Sequence, residues 1–418
     1  MFDRFVKYAK SVGTYFGATL IPMVLMALVN PLIALNMSPE DYAVSGYYTS
    51  FAALFSPVIV FYMINYYNKR YYETSPEERL RLRALLFKAL ILFSGAVSLL
   101  CLAALGGFIC LFRPDFEFPF FPYAALMVFA IPLTGIYKLE QAEFRMSRDA
   151  SGYFRLTVTA GVVLVAANLF FVVLLRMGAV GKLLAPLAAN LSIFVYLLVK
   201  HRNLFFIRTE FREFRTVLSF CLPLAFGAML GYFFNGYDRT YLETLPDTVE
   251  YGNYIVGSQI AGYLTSLSTA VTSTFQPDLY ESVAKRNRGM LLRSCVLQIA
   301  IIALGVAVFV MFCPLVVRLL TAGRYVAAAP YARIIAFSTL ASSLYFILNN
   351  YTIARGYPRL YFYTTLVGSI ITMMAYPSVV EAFGYKGGAL MTSVSYLILI
   401  SLNVIFLLVT RLFRASRC

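Results

Sequence analysis

The sequence predicts an all-α polytopic membrane protein: twelve transmembrane helices in two parallel-repeat six-helix bundles around a central cavity, with both termini cytoplasmic. Three observations predict it. The chain breaks into twelve long uncharged stretches, its basic residues collect in alternate connections, and its second half echoes its first. Composition agrees. Sixty per cent of the 418 residues are hydrophobic and only 13% are charged, with a mean hydropathy of +0.74. A soluble domain carries about 25% charged residues. A water-soluble enzyme, a nucleic-acid binder and a disordered scaffold are thereby excluded.

The uncharged stretches are residues 11–39, 42–68, 89–112, 118–137, 156–175 and 183–199 in the first half. In the second half they are 216–237, 251–277, 294–317, 334–354, 360–380 and 387–410. We number them spans 1 to 12. Each has 17 residues or more, and a helix needs about 17–25 to cross the hydrocarbon layer. Barrel strands would alternate over ~9–11 residues, and no such alternation occurs. Backbone polar groups have no water to bond in lipid. The spans must therefore be helical, or locally covered where Pro22, Pro31, Pro57, Pro132, Pro186 and Pro223 interrupt them. Arg4, Lys7 and Lys10 precede span 1 as they would a signal peptide, but the apolar run is too long for one, and we read it as a retained helix.

Orientation follows from the connections. Counted alternately from the N-terminus, one set holds 26 Lys and Arg and the other 7, while acidic residues divide 11 to 9. The positive-inside bias places both termini in the cytoplasm. It also assigns the whole net charge of +15 to one face. That face attracts anionic membrane lipids, and no nucleic-acid partner is needed to explain it. The one His and six scattered Cys have no CxxC or HExxH spacing, so no cofactor and no metal are expected. Most of the Cys sit in apolar runs as small hydrophobes.

The two halves repeat. The string PYAALMVFAIPLTGIY from Pro122 matches PYARIIAFSTLASSLY from Pro330, with Phe129 and Phe337 in register and Tyr137 and Tyr345 closing both. GYFRL (152–156) is echoed by GYPRL (356–360), and Leu32, Leu35 and Glu40 by Leu242, Leu245 and Glu250. The halves are residues 1–203 and 204–418. Six is even, so both halves enter from the same side and the repeats are parallel. Transporters that rock two bundles around a central site are built this way.

Charge inside a membrane is costly and usually functional, and no span has a carboxylate near its centre. The polar groups are of another kind. In span 8, Ser258, Gly262, Thr265, Thr269 and Thr272 fall on one helical face; in span 2, Ser45, Thr49, Ala52 and Ser56 repeat the spacing. Small residues allow close helix packing, or they form a cavity wall for a hydroxyl-rich substrate. Asn30, Asn190, Gln259 and Asn349 are uncharged hydrogen-bonding groups within spans, available to sugar hydroxyls or to neighbouring helices. Asp238 and Arg239 end span 7 as an interfacial pair or as a gate. Lys88 and Arg333 lie at span edges, where long cations snorkel to head groups. The 31 Tyr cluster at span ends, as an aromatic belt would.

The strings LNMSPEDYAVSGYYTS, YLETLPDTVEYGNY after Asp238–Arg239, and FGYKGGAL before span 12 resemble the polysaccharide-transport branch of the multidrug/oligosaccharidyl-lipid/polysaccharide exporter superfamily. In particular the chain resembles the O-antigen and capsule type of lipid-linked oligosaccharide flippase. The resemblance implies a protein of the bacterial inner membrane that moves an undecaprenyl-pyrophosphate-linked repeat unit to the outer leaflet by alternating access, without enzymatic activity. It implies a cavity lined by spans 1, 2, 7 and 8, and polysaccharide polymerase and glycosyltransferases of the same pathway as partners. Some such proteins carry several cavity arginines for the pyrophosphate. Here that contact falls to Lys88, Arg239, Arg333 or the basic loop ends. Two other readings remain at this point. A cation-coupled multidrug exporter of the same superfamily would need an acidic cavity, and a membrane glycosyltransferase would need a long outer loop with acidic residues; neither feature is visible.

Overall fold

A computed structural model describes residues 2–113, 117–355 and 358–415. Gly356 and Tyr357 of the second loop motif lie outside the described residues. Among the described residues all regular structure is helical. The helices are α1 (Phe2–Leu35), α2 (Pro39–Ser50), α3 (Ala52–Ile59), α4 (Met63–Arg70), α5 (Pro76–Phe112), α6 (Tyr123–Met146), α7 (Ala150–Asn168) and α8 (Gly178–Lys200). They continue with α9 (Phe211–Met229), α10 (Tyr232–Asn235), α11 (Tyr237–Leu242), α12 (Thr248–Ala284), α13 (Arg288–Leu320), α14 (Ala329–Ala354) and α15 (Pro358–Ala415).

These elements account for the twelve predicted spans. Spans 1, 3, 4, 6, 8, 9 and 10 are single helices, and α7 continues into span 5 through a π-helical turn at Leu169–Leu174. Span 2 is α2, α3 and α4 in series; span 7 is α9 and α10. Spans 11 and 12 are both α15, which folds back at Gly384 (φ 55°, ψ −139°), a conformation open to glycine and closed to residues with a Cβ. Among the described residues eight helices are long and apolar enough to cross a membrane, or nine with the bent span 2. The protein is a multi-pass membrane protein. Span 8 is not among those nine because its Ser, Thr and Gln lower its hydropathy.

The helix starts follow from local sequence. Ser38 and Ser75 each accept from the backbone N–H three residues on, at Asp41 and Glu78, whose carboxylates accept from the Ser backbone in return. In both cases Pro follows the cap, where its missing N–H costs nothing. Asp149, Asp247 and Asn287 cap α7, α12 and α13. The internal prolines sit within helices that continue past them: Pro22 and Pro31 in α1, Pro57 in α3, Pro132 in α6, Pro186 in α8 and Pro223 in α9.

The chain forms two compact units, Met1–Met229 and Leu230–Cys418. The boundary between these units falls inside span 7, because α9 packs on α3 and α4 whereas α10 packs on α15. In unit 1, α6 is central and packs against α5 and α8; in unit 2, α14 packs in the same way against α13 and α15. The repeated Pro-Tyr-Ala strings open these two equivalent helices, and Ala124 and Ala332 are fully buried there.

Candidate functional site

The polar face predicted on span 8 opens onto a groove within unit 2. Its first hollow, about 200 Å³, is lined by Asn235, Asp238 and Arg239 of span 7 and its following turn, with Ser258 and Thr265 of α12 and Ser338 of α14. A second hollow of about 210 Å³ shares Thr265 and Ser342 with the first and runs on past Thr269, Thr272 and Gln276 to Ser343 and Asn350. Together they reach the ~300–1,000 Å³ range of small-molecule sites. Thr265 and Thr269 are exposed in the groove. Thr265 Oγ1 lies 3.0 Å from Thr339 Oγ1, and Ser268 Oγ lies 2.6 Å from Ser343 Oγ, so hydroxyl pairs fasten α12 to α14 along the groove floor.

One guanidinium faces this groove. Arg239 Nη2 donates to Ser258 Oγ at 3.2 Å, and its Nε is buried without a hydrogen-bond partner. Among the described residues no carboxylate forms an ion pair with it. Its neighbour Asp238 is buried and accepts from the hydroxyl of Tyr254 on α12. The Tyr251 hydroxyl donates to the Arg239 carbonyl at 2.8 Å, fixing the turn that aims the side chain. A cation held at one end of a hydroxyl-lined trough suits a ligand with an anionic group and a polyhydroxylated part.

The other expected residues are placed elsewhere. Gln259 is half-buried on α12 beside the groove and does not line it. Asn349 is buried with its Oδ1 unpaired, and the next residue, Asn350, lines the groove instead. Arg333 is exposed on α14. In unit 1, Asn30 and Ser45 are buried, Ser56 is half-buried and Thr49 is exposed. Ser45 Oγ and Thr49 Oγ1 bond backbone carbonyls one turn back, and the stripe crosses the α2–α3 junction at Phe51. Lys88 does not snorkel: its Nζ donates to the Ile207 carbonyl at 2.6 Å, joining α5 to the segment after α8. From span 10 the sequence points to Asn349 alone and misses the serines. The string STLASS (338–343) in an otherwise apolar run is the signal that would have found Ser338, Ser342 and Ser343.

The model of a protein family described as "Polysaccharide biosynthesis protein" matches residues 8–283, two-thirds of the chain and inclusive of Arg239 and the whole threonine face of α12. The chain belongs to this polysaccharide biosynthesis protein family. No curated protein matches it. Among solved structures, this family member is similar to the lipid II flippase MurJ in an inward closed conformation (12% identity, 94% of this chain and 87% of that one, TM-score 0.71). It is also similar to an inward-facing multidrug resistance MATE family transporter of the MOP superfamily (14% identity, 96% and 98% covered, TM-score 0.67). A MOP superfamily transporter from Pyrococcus furiosus is a third (14% identity, 95% and 95% covered, TM-score 0.59). At these identities the likeness establishes the fold: this polysaccharide biosynthesis family member has the fold of MOP superfamily transporters, over almost its whole length.

Proposed function

We propose that the protein is a flippase that carries an undecaprenyl-pyrophosphate-linked oligosaccharide repeat unit from the cytoplasmic to the outer leaflet of the bacterial inner membrane, by alternating access, for O-antigen or capsule synthesis. The observation that carries this reading is the unit 2 groove, where the guanidinium of Arg239 stands at one end of a trough of Ser and Thr hydroxyls. The family match and the MurJ-like fold support it. On this reading the two six-helix repeats, 1–203 and 204–418, move relative to one another without catalysing a reaction. Both termini are cytoplasmic, membrane lipids surround the protein, and a polysaccharide polymerase and glycosyltransferases act before and after it. Ser258, Thr265, Thr269 and Thr272 contact the glycan, Arg239 the pyrophosphate, and Asn30, Thr49 and Ser56 belong to the transport path.

Cation-coupled drug export accounts less well for the groove, because its unpaired charge is positive and its carboxylate, Asp238, is already held by Tyr254. The test is deletion of the gene, with surface glycan and tolerance of cationic dyes measured together. Loss of glycan with unchanged dye tolerance is the expected result. Normal glycan with heightened dye sensitivity would overturn the proposal in favour of export.

A further inference from the structure

Span 2 turns by 47° between α3 and α4. The turn is made by two consecutive residues in the left-handed region, Phe61 (φ 51°) and Tyr62 (φ 53°). Aromatic side chains rarely occupy that region, and such backbone strain persists only where the surroundings hold it. The surroundings here are explicit. Phe61 packs edge-on against Phe93 of α5. Beyond the turn, the fully buried Tyr67 of α4 donates its hydroxyl to Glu143 Oε2 on α6. Glu143 lies 4.0 Å from Arg83 Nη1 on α5, and the other amino group of Arg83 bonds Glu140. Glu140, almost fully buried, also receives Lys200 Nζ at 2.9 Å and stands 3.0 Å from Nε2 of His201, the chain's one histidine, at the end of α8.

A short helix is therefore tied through the Tyr67 hydroxyl to an ion cluster that joins α5, α6 and α8, and just beyond it Tyr72 donates its hydroxyl to the Met146 carbonyl at 2.7 Å. On its other flank α4 meets α9 through aromatic contacts: Lys69 sits 4.6 Å above the Phe220 ring, and Tyr66 meets that ring edge-on. Between α4, α5 and α9 lies a cleft of about 330 Å³, walled by Tyr66, Arg70, Arg81 and Glu213 among others.

We infer that α4 is a latch: the Tyr67–Glu143 hydrogen bond holds it against the ion cluster, and breaking that bond lets it swing about Phe61–Tyr62 and widen the cleft beside α9. Strain in the turn favours release, and the Tyr67–Glu143 bond opposes it, since a hydroxyl donating to a carboxylate makes a stronger bond than a neutral pair. The inference concerns motion within unit 1 and does not depend on the substrate.

Hydrogen exchange on the full-length protein in lipid nanodiscs tests it. In the unaltered protein, residues 63–73 should open as one unit, with the boundary of protection at 61–62 and residues 39–59 exchanging more slowly. Uniform protection across 39–70 would overturn the latch without recourse to any variant. Tyr67→Phe keeps the ring and removes the bond, so exchange of 63–73 should rise about tenfold or more, the effect of a lost hydrogen bond to a charged group. Tyr66→Phe, on the same short helix, should exchange as the unaltered protein does, and residues 89–109 of α5 should be unchanged in both. Wild-type exchange in Tyr67→Phe, or an equal loosening of α5, α6 and α8, would refute the assignment.

Discussion

Asp41 caps the start of a helix 138 residues away: its Oδ1 accepts from the backbone N–H of Ala179 at 2.8 Å. Its Oδ2 accepts from Ser38 N at 2.9 Å, so one carboxylate serves the starts of both α2 and α8. The fit is close. Gly178 has φ +54°, and a Cβ there would come within 2.3 Å of Asp41 Oδ1.

That arrangement gives a first prediction, on stability. Asp41→Ala should destabilise unit 1 by about 2–4 kcal/mol, since it removes a local cap and a charged hydrogen bond to a second helix. Gly178→Ala should be comparably harmful, through both its φ and the clash. Thermal denaturation of the purified protein in detergent checks both. An unchanged midpoint in Asp41→Ala would mean that water caps α8 equally well.

A second prediction concerns the groove wall. Thr265→Leu/Thr269→Leu should leave protein level near normal and abolish surface glycan, because both residues are exposed along the groove. Were the face a packing seam, added bulk would instead force helices apart and lower expression. Normal glycan display from a well-expressed double variant would remove this face from the transport path.

Arg239 supplies a third. Arg239→Gln should lower transport of a pyrophosphate-linked donor in reconstituted vesicles by about 10- to 100-fold, the loss expected for one charged hydrogen-bonded contact. Arg239→Lys should recover part of it, as a point charge replacing a planar fork. Equal rates in Gln and Lys variants would mean that the charge is not used.

The fourth is topological. Reporter fusions at Glu117 and Glu381 should report outside, and those at Glu77 and Arg288 inside, as the 26-to-7 distribution of basic residues demands. An inside signal at Glu381 would reverse the second half.

The spans, the duplication and the hydroxyl face of α12 were legible in the sequence because each is a local, periodic property. Hydropathy over twenty residues, a repeat at nearly constant offset and a spacing of three or four residues need no tertiary information. What the sequence concealed was long-range or particular to one residue. Arg83, Glu140 and Lys200 lie 57 and 60 residues apart, in connections where charge is ordinarily solvated, and they converge only once α5, α6 and α8 pack. Lys88 reads as an edge cation until the Ile207 carbonyl is brought beneath it. The break at Phe61–Tyr62 carries no Gly or Asn, the usual marks of a left-handed turn, because tertiary contacts impose it. In span 10, periodicity could not distinguish buried Asn349 from Asn350, which lines the groove.

The hydroxyls of the unit 2 groove have a direction. Thr269 donates its proton to the carbonyl of Thr265, Ser338 donates to Ile335, Ser342 and Ser343 both donate to Thr339, and Thr392 donates to Ala389. With the protons so directed, these hydroxyls show an incoming molecule oxygen lone pairs, while Arg239, Asn235, Gln276 and Asn350 supply the donors of the lining. An ester or ether surface would meet them lone pair to lone pair and gain nothing for the water it displaces. A molecule rich in O–H or N–H groups brings the missing protons with it. The wall thus discriminates by the sense of the hydrogen bond as well as by polarity: acetylating or methylating the hydroxyls of a ligand would weaken its hold here even where shape and size still fit.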